Sequence, residues 1–302
     1  MRLEAETWTD PDLIAYAKEH FIAYHLNVDS TESNELKKRF NIRGIPSFVF
    51  VDEEGNEVDR IIGFMPPEEY LAEMKRIREG INTIPDLMSR LDEDPENVDL
   101  IKTLAEKVEA MGGLKASVSY WEMIFEMDEV DETSRALASL KMALFLSQEK
   151  EDPEMLISFI GSATNTEVLP EAHRALKDFY RKQGNKKAEA EAYRRYVDFM
   201  SGLKKETPSL LNGYAWRMTQ LGMNLENALQ RIDQAIGMFD EDYDNRARAQ
   251  IMDTKGEVLW KLDRIDEAVA VMDACIALQP DDNYYKEQKG KFLGKDAETP
   301  EA

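Results

Sequence analysis

"NIRGIPSFVFVDEEGNEVDRIIGF", residues 41–64, is the stretch on which the fold turns. Its runs "SFVFVD" (47–52) and "EVDRII" (57–62) are rich in β-formers and are joined by a turn at Glu53 to Asn56 that contains Gly55, so they predict a β-hairpin. A proline immediately ahead of a strand, here Pro46, shapes the loop that enters it. Upstream, "TWTDPDLIAYAKEHF" offers Thr9 or Asp10 as an N-cap, Pro11 in a first turn, and Leu13, Ile14 and Ala17 on one face, which predicts a short amphipathic helix. "FIAYHLNVD" (21–29) reads as a strand, "STESNELKKRFN" (30–41) as a capped helix, and "PPEEYLAEMKRIRE" (66–79) as a helix with prolines in its first turn. The expected order is α-β-α-β-β-α.

Composition bounds what such a chain does. Its 302 residues favour two domains, and 43% hydrophobic with 32% charged residues describe a soluble globular protein. A formal charge of −22 repels phosphate backbones, so nucleic acid is excluded as a partner class. No run approaches a membrane span, and the acidic first twenty residues lack the apolar core of a signal peptide. The compartment stays open, since a signal can lie upstream if Met1 is not the natural start.

The residues then carry a family resemblance. Ile42, Gly44, Ile45 and Pro46 before a strand, the hairpin through Gly55, Gly63 after it and a closing helix resemble the second half of the thioredoxin fold. The resemblance implies a cis Ile45–Pro46 bond beside the place of an active site. It also implies that the family's Cys-x-x-Cys and the first strands would lie upstream of Met1. With those absent, the two strands flanking the missing one would pair directly, be completed by another chain or by the helical domain, or be completed by residues upstream. The last is the expectation, and unpaired edges otherwise invite self-association.

After the linker "EGINTIPD" (79–86) the period is helical throughout. "LENALQRIDQAI" and "IDEAVAVMDACI" match in six apolar positions: Leu225, Ala228, Leu229, Ile232, Ala235 and Ile236 precede Ile265, Ala268, Val269, Met272, Cys275 and Ile276 by forty residues. These units resemble tetratricopeptide (TPR) repeats, strongest over 208–282 and degenerate before that, with "NYYKEQKGKFL" as a closing helix. The fold class expected is therefore α/β plus all-α, a partial thioredoxin-like fold over 1–80 followed by a TPR-like α-solenoid over 84–293 and a frayed tail over 294–302.

Candidate sites are few. The backbone at Ile45 and Pro46 is either a peptide contact or a loop-shaping step without a substrate. Arg217, Gln220, Asp253, Glu257 and Trp260 take first-helix positions that would face a concave surface, and Trp260 either anchors a peptide or packs between repeats. The lone Cys275 sits at a small-residue packing position, so neither an internal disulfide nor thiol exchange is available to this chain. His20, His25 and His173 lack metal-ligand spacing, and Asp240, Asp242 and Asp244 begin a calcium-like loop that Asn245 and Ile251 break. No catalytic residue, metal or cofactor is expected. The function expected is a redox-inactive, acidic, bacterial-type scaffold for protein or peptide partners of basic character. The alternatives are a thioredoxin-family thiol-disulfide oxidoreductase with its cysteines upstream of Met1, and a chaperedoxin-like holdase.

Overall fold

The computed structural model describes residue 3, residues 6–27 and residues 30–294. Two compact units divide the chain, Met1–Met155 and Leu156–Ala302. In the first, α1 (Pro11–His20) begins where Asp10 accepts a hydrogen bond from the Leu13 amide at 2.9 Å and Pro11 enters the first turn. Residues 21–27 follow without regular structure, and Ile22 and Tyr24 are 103% and 79% exposed. The strand expected over 21–29 is thus absent from its described residues, while Val28 and Asp29 lie outside them. An extended segment is stabilised by its ladder, and the sheet of the described residues has two strands only, neither of which pairs with this stretch.

Those strands are β1 (Ser47–Val51) and β2 (Glu57–Ile62), antiparallel, with Phe48 opposite Ile61 and Val49 opposite Arg60. A short helix, α2 (Asn34–Arg39), precedes them and α3 (Pro67–Arg78) follows. Tyr70, Met74 and Ile77 recur at helical spacing along α3 and bury that face with Leu13 and Ile61. Trp8, Phe48 and Tyr70 form a ring cluster with centroids 5.2–5.3 Å apart.

The same unit continues through α4 (Ile84–Glu93), α5 (Val98–Gly112), α6 (Leu114–Glu126) and α7 (Glu132–Lys150), each packed on the next around Leu87, Ile101, Leu104, Trp121 and Ile124. The expected boundary near 79–86 falls inside this unit, for a reason visible at the end of α5. The last carbonyls of a helix have no partner within it. Here Arg60 Nη1 donates to Ala110 O at 2.8 Å, Asn41 Nδ2 donates to Met111 O at 2.8 Å, and Arg60 Nη2 donates to Phe40 O at 2.8 Å. A cation from the hairpin also suits the negative end of the α5 dipole. Beside it Asp59, 2% exposed, accepts from Arg76 of α3 at 2.7 Å and from Lys107 of α5 at 2.7 and 2.8 Å.

The helix α8 (Glu154–Ser162) crosses the junction of the two units. In the second unit, α9 (Leu169–Lys182) pairs with α10 (Lys186–Gly202), α11 (Pro208–Leu221) with α12 (Leu225–Gly237), and α13 (Asn245–Lys261) with α14 (Ile265–Leu278). The connections inside these pairs are short, so partners run antiparallel, and α11 also packs on α13, the stacking that defines a helical solenoid. The forty-residue sequence repeat is a structural one: Ala228, Ile232 and Ala235 are the buried residues of α12, and their counterparts Ala268, Met272 and Cys275 are those of α14. The closing helix α15 (Tyr284–Phe292) buries Tyr285 and Phe292. Of the tail expected to fray, residues 295–302 lie outside the described residues.

Candidate protein-binding site

The sequence-predicted residues fall into three groups. At the end of the hairpin the Ile45–Pro46 bond is cis, as the resemblance implies, and Gly63 N donates to Pro46 O at 2.9 Å. That bond and the Ser47–Ile62 pairing bring Ile45, Ile62 and Phe64 to the same end of the hairpin, and all are exposed, the first two at 61% and 57%. Ile62 also lines a cleft of about 320 Å³ with Ile84, Thr103, Ala110 and Met111. Sequence reading found Ile45 but missed Ile62 and Phe64, because alternation along β2 marks which residues share a face and not whether anything covers that face.

Arg217 and Gln220 are joined rather than free. Arg217 Nε and Nη2 donate to the two oxygens of Glu189 at 2.7 and 2.8 Å, and Nη1 donates to Gln220 Oε1 at 3.0 Å. Arg181 Nε reaches the same buried Glu189 at 2.6 Å. Burial alone would raise the Glu189 carboxyl, but the hydrogen bonds from Arg217 and Arg181 outweigh it and hold the group below the usual range. Arg217 is therefore a clamp between α10 and α11, and the exposed aromatic beside it is Trp216, which the sequence reading did not single out.

Asp253, Glu257 and Trp260 do not lie on an open face, because residues of α15 cover them. The Tyr284 hydroxyl donates to Asp253 Oδ2 at 3.0 Å, Lys291 Nζ donates to Glu257 Oε1, and Phe292 stacks on Trp260 with centroids 5.6 Å apart. Burial is the main cause that raises Asp253 from 3.8 to about 6, with the nearby Glu257 charge adding to it and Tyr284 and Lys291 opposing. The unfolded chain gives up this proton near 3.8 and the folded chain near 6, so the unfavourable contribution builds between those values and is full above about 6. Asp253→Asn keeps an acceptor for Tyr284 and is expected to stabilise the chain at pH 7.5 by about 2–3 kcal/mol, and by less at pH 4.5. Urea unfolding at the two pH values checks this; a gain equal at both would disprove it.

The remaining candidates occupy structural places. Cys275 is buried, its thiol donates to Ala249 O at 3.5 Å, and burial followed by the Asp253 charge pushes it up to about 12. Burial, then Arg195, lowers His173, which packs its ring 4.9 Å from Phe199. Asp244 of the calcium-like run caps α13 by accepting from Ala247 N at 2.9 Å. Among the described residues no group of three or more His, Cys, Asp or Glu is placed to hold a metal, and no helix is long and apolar enough to cross a membrane.

Comparison with known proteins adds to this picture. A family model described as Thioredoxin-like domain matches residues 1–78. The chain is 37% identical over 60 residues to Thioredoxin-like protein HCF164, chloroplastic, of Oryza sativa subsp. japonica, covering 20% of this chain and 23% of that protein. It is 34% identical over 77 residues to Thiol:disulfide interchange protein DsbD of Haemophilus ducreyi, covering 24% of this chain and 13% of that one. The chain thus spans less than a quarter of the length of these relatives. Among solved structures it aligns with YrrB, "a TPR protein with an unusual peptide-binding site", at 15% identity and a TM-score of 0.45, over 67% of this chain and 97% of that one. The chain is similar to the thioredoxin-like family through residues 1–78, and beyond them it continues as an array of paired helices.

Proposed function

We propose that the chain is a protein-binding scaffold, redox-inactive in its own residues, and that the apolar end of the hairpin is a working surface. One observation carries this reading: Ile45, Ile62 and Phe64 are exposed together at one end of the hairpin, while Phe48, Phe50 and Ile61 pack into the core. Large apolar side chains gathered at one place mark contact surfaces more often than scattered ones do. The chemistry of the sulfur points the same way, since the single cysteine of the chain is buried with its thiol held protonated. A charge of −22 favours partners of basic character, chiefly through the rate of encounter. Each strand of the sheet keeps one edge without a strand neighbour among the described residues, which makes self-association part of the same proposal.

Reduced and carboxamidomethylated lysozyme, permanently unfolded, still basic and rich in apolar segments, is a suitable probe. The chain is expected to bind it, and replacing both Ile62 and Phe64 by Asp should weaken binding at least about tenfold, given what burial of such side chains is worth. Equal affinity for the double variant would sink the reading. In parallel, reduction of insulin should proceed no faster with this chain than with its Cys275→Ser variant.

A second reading is favoured by the match to a protein named for thiol:disulfide interchange. In it the chain is part of an oxidoreductase whose cysteine pair lies ahead of residue 1. An in-frame Cys-x-x-Cys in the upstream coding DNA, with insulin reduction by the longer form, decides for it. A holdase role is a variant of the scaffold reading, and there suppression of client aggregation must survive Cys275→Ser.

A further inference from the structure

We infer that the face of α13 bearing Asp253, Glu257 and Trp260 is a receptor for a short basic helix carrying aromatic side chains, and that α15 is its resident, exchangeable occupant. By itself α15 is a weak helix. It has nine residues, fewer than a helix needs to persist alone in water, and its N-cap residue Asn283 makes no side-chain capping bond. Gly290 sits in its interior, where glycine is the least favourable residue after proline. What holds α15 is its contact with the preceding pair of helices.

That contact has the form of a bound peptide. Tyr284 donates to Asp253, Lys291 donates to Glu257 and lies 4.7 Å over the Trp260 ring, and Lys289 Nζ meets Asp273 at 2.5 Å. Phe292 lies over Trp260 at an interplanar angle of 24°. A Cβ on Gly256 would stand 2.7 Å from Met272 Cε and 3.1 Å from Phe292 Cε2, so the bare backbone is what admits the Phe292 ring. Charge is sorted across the contact: α15 carries Lys286, Lys289 and Lys291 against Glu287 alone, and it rests on Asp253, Glu257 and Asp273 in a chain of net charge −22.

One group is left over. Asp253 is only 8% exposed, yet its Oδ1 accepts no hydrogen bond. Buried carboxylate oxygens are usually partnered, and this one has the capacity to accept a further donor. Tyr284 brings a single hydroxyl, whereas an arginine presents a fork of donors that can meet both oxygens of a carboxylate. The occupant that fits this face better than α15 is therefore a partner's basic, aromatic helix with arginine where α15 has Tyr284. This deepens the protein-binding reading and rests on it only in that the ligand is a protein segment. It is independent of the hairpin end, so failure of the Ile62 and Phe64 test leaves it standing.

The probes are two synthetic peptides, residues 283–294 and the same segment with Tyr284→Arg, titrated into the full chain while hydrogen exchange of residues 284–292 is followed. The arginine peptide is expected to bind at least about tenfold more tightly than its parent, as one added charged hydrogen bond allows. Glu257→Gln and Asp253→Asn in the chain should each weaken it about tenfold. At saturation α15 should exchange faster while α13 and α14 stay protected. Lys291→Glu, which sets two carboxylates against each other, should raise the affinity of both peptides, with helix content by circular dichroism confirming that the variant is folded. Absence of binding, equal affinity of the two peptides, or unchanged protection of α15 at saturation each overturns the inference, and the exchange measurement on the unmodified chain decides if the Lys291 variant fails to fold.

Discussion

Replacing Trp121 by alanine is expected to destabilise the Met1–Met155 unit by about 3–5 kcal/mol, the range for removing a large aromatic from a core. Trp121 is fully buried among Leu100, Ile101, Leu104 and Ile124, so the indole leaves a cavity that close-packed helices fill only in part. It is also a donor: Nε1 reaches Glu109 Oε2 at 3.1 Å, while Lys141 Nζ reaches Glu109 Oε1 at 2.9 Å and lies 5.8 Å over the indole. The alanine variant thus loses apolar burial and leaves Glu109 short of a partner. Trp121→Phe keeps most of the volume without the donor and should lose less than half as much. The midpoint of urea unfolding, read by circular dichroism, separates the two, and an alanine variant within about 1 kcal/mol of the parent would show that the site collapses freely.

Asp59→Ala is expected to cost nearly as much, about 3–5 kcal/mol and toward the lower end of what breaking a buried ion pair costs. The carboxylate receives Arg76, Lys107 and the amide of Arg60, so its loss leaves two cations without their shared acceptor. Arg76 retains Glu73 at 2.8 Å, and both cations keep some contact with solvent, which sets the lower end. Burial alone would lower the Arg76 guanidinium, but the hydrogen bonds it donates to Glu73 and Asp59 outweigh that and raise it further above its already high range, so it stays charged and cannot relieve the loss by giving up its proton. Asp59→Asn should be milder, since one oxygen still accepts. A loss below about 1 kcal/mol in the alanine variant would mean that the ion pairs do not hold β2, α3 and α5 together.

Much of this architecture is legible in the sequence because local chemistry and tertiary packing agree. The hairpin follows from two β-rich runs around Gly55, and the three buried positions of α12 and of α14 are among the six matched apolar positions of the repeat. Legibility fails where a residue's fate is decided by a distant partner. "FIAYHLNVD" has the composition of a strand, yet a strand exists only when another lies beside it, and residues 21–27 have none. Helical periodicity directs Asp253 and Glu257 to an open face, but the helix that covers them begins some thirty residues later. Asp59 and Arg60 show no motif at all. They read as the polar positions of an alternating strand, and only the fold reveals that they serve the end of α5.

The borrowed ends of α5 bear on how this gene can be cut and recombined. The family model matches residues 1–78, and a protein engineer trimming the chain to that match would produce a fragment in which Arg60 and Asn41 lose the carbonyls of α5. The transplantable cassette is longer than the matched one: it must run through at least Met111, and α6, which bears Trp121, and α7, which packs on α6, have to travel with it.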